Sequence, residues 1–79
     1  MREISQTDTN EYMYESLVKT YQAQKAEAEA TLYIYFRNAA GIGEHPQMME
    51  EMRKQVEIMA NAEDCIETLK RNFGYGDAA

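Results

Sequence analysis

The 79 residues contain one cysteine, one histidine and one proline, and each scarcity removes a class of explanation. A lone Cys65 cannot form an internal disulfide, which fits a reducing compartment. A lone His45 has no second histidine, and no serine or cysteine lies near it in sequence. A turn residue that fixes the entry to the next element is the simpler reading of it than a general base. One His, one Cys and no Glu-x-x-His pair leave no metal set of the zinc or di-iron bundle type, so we expect no metal, no cofactor and no enzyme. No apolar run nears the roughly 20 residues that cross a bilayer, and the opening Met1-Arg2-Glu3-Ile4-Ser5-Gln6 has no signal-peptide core. The expectation is a soluble intracellular protein with no membrane partner.

Basic residues are few and scattered: eight Lys and Arg against fourteen Asp and Glu, for a net charge of −6. They form no stripe, which argues against nucleic-acid binding by a basic face. Acidic residues never run beyond an adjacent pair, too sparse to imitate a phosphate backbone, so an ordinary solvated surface is the better account. There is no internal repeat and no low-complexity segment.

What is present is helical patterning on both sides of one break, Gly41-Ile42-Gly43-Glu44-His45-Pro46. It holds two of the four glycines and the only proline. Gly41 suits the left-handed residue that closes a helix, because it has no Cβ to clash. Pro46, with φ fixed near the helical value and no N–H, suits the first turn of the next helix. The spacing therefore predicts an all-α, antiparallel two-helix hairpin in one domain: a loose arm over 1–7, helix one over 8–40, a turn over 41–45, helix two over 46–73 and a tail over 74–79. Asp8 with Glu11 reads as a capping box.

The first helix carries a seam at alternating spacings of four and three: Tyr14, Val18, Tyr21, Lys25, Ala28, Leu32, Tyr35, Ala39. Its middle is thin, interrupted by Lys25 and rich in alanine, which lets a neighbouring helix come close. Helix two offers Met52, Val56, Met59, Ala62, Ile66, Leu69 and Phe73, widened at its start by Met48 and Met49. Glu15–Lys19, Glu50–Lys54 and Glu67–Arg71 are favourable i,i+4 pairs. The methionines suit an adaptable binding surface, but at helical spacing they read more simply as core. Cys65, beside Ile66, reads as a small filler at the seam's edge.

Leu32-Tyr33-Ile34-Tyr35-Phe36 is apolar all round the helix. One partner helix covers only one side, so a second surface must cover the rest. Two helices of this size also enclose little core. We therefore expect self-association, most simply an antiparallel four-helix dimer, with Tyr33, Ile34, Tyr35, Phe36, Met52, Val56, Met59 and Ile66 as interface residues. A second candidate is an anion site at the turn, formed by Arg37, Gly41, Gly43 and His45 beside the positive start of helix two. Capping alone accounts for both glycines, so the signal is weak.

The turn Gly41 to Pro46, followed by Met49-Glu50-Glu51 and Ala60-Asn61-Ala62-Glu63-Asp64 with Leu69 and Phe73, resembles a group of small uncharacterised proteins of tailed phages. Those related to large contractile-tailed and marine cyanobacterial phages share a helix, a Gly-Ile-Gly-Glu-His turn and a second helix. The resemblance covers roughly residues 35 to 73. Members often have an acid after the histidine, where this chain has Pro46 and Gln47, so no role of that acid carries over. The resemblance implies a phage origin and brings no activity with it. Together these readings point to a non-catalytic, oligomeric phage accessory protein acting by binding, a host-takeover or anti-defence factor in the cytoplasm of the infected cell. It would block a host protein or sequester a small anionic ligand such as a signalling nucleotide. The alternative is a virion component or assembly chaperone.

Overall fold

The computed structural model describes residues 6–38 and 46–74. Within them are two α-helices, α1 over Gln6–Arg37 and α2 over Pro46–Phe73. At about 1.5 Å per residue they are roughly 48 and 42 Å long, and they pack against each other. Their direction follows from two contacts. Lys25 of α1 meets Glu63 of α2, while the earlier Leu17 and Tyr21 share a groove with the later Cys65, Thr68 and Leu69. As α1 advances its partner recedes, so the pair is an antiparallel hairpin.

Both ends of α1 differ from the expectation. It opens at Gln6, which places Asp8 inside the first turn rather than at the cap. It closes at Arg37, with Asn38 in a turn rather than in a helix continuing to Ala40. Asn38 explains the closure. Its backbone N–H is shared between the carbonyls of Ile34 and Tyr35, each at 3.2 Å, and its side-chain amide donates to Ile34 O at 2.9 Å. One residue thus takes up two of the carbonyls that a helix end leaves without partners. The turn expected over 41–45, the arm over 1–5, Ala39 and the tail after Gly74 lie outside the described residues.

The core is a single seam. In α1 the buried or half-buried positions are Tyr14, Val18, Tyr21, Lys25, Ala28, Leu32 and Tyr35, with Thr31 at the margin. In α2 they are Met48, Met52, Gln55, Met59, Ala62, Ile66 and Leu69, with Cys65 at the margin. Both series alternate four and three, the period of a two-stranded coiled coil. This corrects the reading of α2. Val56 was expected in the seam and is 53% exposed, and Phe73 is 60% exposed. The expected series took two successive steps of three, Val56–Met59–Ala62, which drifts off a constant seven-residue period. The packed helix keeps the period and puts Gln55 in line, leaving Val56 one position round the helix.

The middle of the seam is its tightest level. Ala28 is 2% and Ala62 0% exposed, so nothing larger than a methyl group stands between the helices there. Lys25 follows the snorkelling rule: its stem lies along the seam, and its Nζ reaches out to Glu63 Oε2 at 3.1 Å. Both side chains keep solvent contact, so the pair contributes no more than about 1 kcal/mol. Glu67–Arg71 pairs as expected, whereas Lys54 pairs with Glu51 at 3.4 Å rather than with Glu50.

Ala62→Leu tests the close approach. Three extra heavy atoms have no room at 0% exposure, and overpacking should lower unfolding stability by about 1–3 kcal/mol. Urea titration followed by circular dichroism reads this directly. A neutral or stabilising effect would mean that the helices do not meet closely at Ala62.

Candidate functional site

The run Leu32 to Phe36 divides between two fates. Leu32 is 8% exposed and Tyr35 half-buried, both turned toward α2. Tyr33, Ile34 and Phe36 remain 62, 59 and 64% exposed. Geometry imposes this split: five consecutive residues sweep more than a full turn, and one neighbouring helix covers only its own side. Of the other residues expected at an interface, Met52, Met59 and Ile66 are half-buried in the hairpin's own seam, and Val56 is exposed.

The exposed apolar side chains lie on two flanks of the seam. On one flank, near the end of the hairpin where α1 stops and α2 starts, are Tyr33, Phe36, Met49 and Val56, each more than half exposed. Charged residues continue this flank toward the other end, Glu15, Lys19 and Glu29 on α1 and Glu63, Glu67 and Lys70 on α2, with Tyr12 53% exposed beside Glu15 and Lys19. The opposite flank carries Met13, Leu17 and Ile34 on α1 and Ile58 on α2, exposed by 61, 47, 59 and 41%. Between these residues lie Thr20, Gln24, Thr31, Asn61, Thr68 and Asn72, all polar and uncharged. Its charges are Glu27, the Lys54–Glu51 pair, whose members meet at 3.4 Å, and Asp64 at its edge.

Leu17, Tyr21, Cys65, Thr68 and Leu69 form a shallow groove on this second flank, with Asp64 at its rim. Cys65 is a free thiol, half-buried, directed at Asn61 Oδ1 at 3.9 Å as a weak donor. Thr20 and Thr31 turn their hydroxyls onto the carbonyls of Ser16 and Glu27, at 2.8 and 2.9 Å. Those polar groups are thereby satisfied within their own helix, which makes the flank easier to cover. Met13, Leu17 and Ile58 were not singled out in the sequence. The signal was there: each directly precedes a seam residue (Tyr14, Val18 and Met59) and so widens the apolar stripe to one side.

At the proposed anion site, Arg37 is the last helical residue of α1 and is exposed. Gly41, Gly43 and His45 lie outside the described residues. Among the described residues no three His, Cys, Asp or Glu side chains are grouped as a metal site would need, no buried polar side chain lacks a hydrogen-bond partner, and no helix is long and apolar enough to cross a membrane. No protein-family model matches the chain, and no curated protein or solved structure matches it.

The two fates of the aromatic run predict different energetic responses. Leu32→Ala should destabilise by about 2–3 kcal/mol, since it removes a buried side chain from a thin seam. Phe36→Ser and Val56→Ser, both at exposed positions, should each shift stability by no more than about 0.5 kcal/mol. Equal losses in urea titrations of all three would show that Phe36 and Val56 are covered in solution.

Proposed function

We propose that this chain is a non-catalytic, self-associating phage accessory protein that acts by binding. One observation carries the reading: Tyr33, Ile34 and Phe36 stand 59–64% exposed on a regular helix. Large apolar side chains left exposed on both flanks of a small protein mark interaction surfaces, because leaving them in water forfeits the stabilisation that burial gives.

In this reading the patch of Tyr33, Phe36, Met49 and Val56 is the surface for a host protein. Aromatic and methionine side chains are the types enriched where protein partners meet. The phage origin, and with it a host-takeover or anti-defence role in the infected cell, rests on the resemblance around Gly41 to Pro46. Sequestration of a small anion at the turn is the second version of the binding role, and Arg37 is its described contributor.

A native mass spectrum of the untagged protein, purified gently from cells, tests the proposal. We expect a closed oligomer, most simply a dimer, and a melting temperature that rises with chain concentration. A monomer at micromolar concentration with full helicity would refute self-association. Extra mass of nucleotide size that disappears with Arg37→Ala would select ligand capture. A clean oligomer would select a protein partner, and presence of the chain in purified particles would select the virion reading instead.

A further inference from the structure

The charge-poor flank has a pattern that says how a second copy would sit on it. On α1, Met13 and Ile34 stand at nearly equal distances before and after Gln24, as do Leu17 and Thr31. On α2, Ile58 and Cys65 stand at equal distances on either side of Asn61 and Ala62. Both midpoints fall at one level of the hairpin, beside the Lys25–Glu63 bridge. We infer that this flank is the interface of a two-fold dimer, with the axis perpendicular to the helices at that level, so that α1 stacks antiparallel on the copy's α1 and α2 on the copy's α2. The inference rests on the self-association proposed above and names its surface.

The pairing that this axis generates is complementary along the whole flank. Met13 meets Ile34 of the copy, Leu17 meets the methyl of Thr31, and Ile58 meets Cys65 across the groove. Of the charged residues on the flank, Glu27 meets Thr20, Lys54 meets Thr68 and Glu51 meets Asn72, while Asp64 stands at the groove's rim, at the edge of the interface. The other two-fold arrangement, with the axis along the helices, stacks α1 on the copy's α2 and sets Ile34 against the Lys54–Glu51 pair, desolvating an ion pair against an apolar side chain. The opposite flank is a poorer self-partner, because burying it would desolvate Glu15, Lys19, Glu29, Glu63, Glu67 and Lys70. Two helices stacked on two, about 10 Å apart, complete a four-helix bundle in which every neighbour is antiparallel. The surface is isologous, as a closed dimer requires.

Three variants test this. Leu17→Lys with Ile58→Lys places four cations across the dimer interface and should weaken dimerisation at least ten-fold in sedimentation equilibrium. Phe36→Lys with Val56→Lys, on the other flank, should leave the dimer intact. Gln24→Cys in a Cys65→Ser chain puts a thiol beside the axis and should give a disulfide-linked dimer under mild oxidation, which decides the matter even where the lysine variant fails to fold. A wild-type dimer unaffected by Leu17→Lys/Ile58→Lys and not cross-linked through Gln24→Cys would overturn this interface while leaving self-association standing. A wild-type monomer would overturn both.

Discussion

The two small buried residues at the middle of the seam, Ala28 and Ala62, are the constraint on which the rest of the hairpin depends. Two methyl-sized residues at the centre bring the backbones together, and larger residues can then fill the seam only toward the ends: Tyr14, Val18 and Leu69 at one, Leu32, Tyr35 and Met52 at the other. The consequence is a seam that holds two helices together yet buries few large side chains. Among the described residues, only Tyr14, Val18 and Leu32 of the large apolar side chains fall to 9% exposure or below. A protein built this way leaves many of its described apolar side chains exposed.

That remaining surface is unevenly divided. One flank alternates charged residues with an aromatic and methionine cluster at the connected end. The other carries fewer charges, Glu27, Glu51 and Lys54 with Asp64 at its edge. An interface core is distinguished less by bulk hydrophobicity than by depletion of charge, so the two flanks suit different occupants. The uniform one suits another copy of the same chain. The one with a compact aromatic cluster and a charged surround suits a different molecule that reads a local feature.

Much of the hairpin was legible because its signals are local and repeat. Glycines and a proline mark one break, and the four-three spacing of Tyr14 to Tyr35 names the covered face of α1. The face of α2 was less legible because two phases compete there. Val56 is the better seam residue by composition, and Gln55 by period; the regular partner stripe on α1 decides for period, a fact of packing that α2 alone does not contain. The end of α1 was misplaced for a related reason. Ala39 and Ala40 are good helix formers, but Asn38 uses its side chain and backbone N–H on Ile34 and Tyr35. The surface flanks were hardest to see, since residues such as Leu17 and Ile58 announce themselves only once a seam beside them is fixed.

A seven-residue repeat has an inherent ambiguity of register, since sliding one helix by seven positions restores the same stripe. Here the polar intruder in the seam removes it. Slipping α2 by one repeat would carry Lys25 from Glu63 to the level of Lys70 or of Val56, a like charge or an apolar side chain. It would also set Ala28 against a bulkier neighbour. The hairpin therefore takes its alignment from its middle, and the connection between the helices is released from that task. Its length and residues are then available to be shaped by something other than folding.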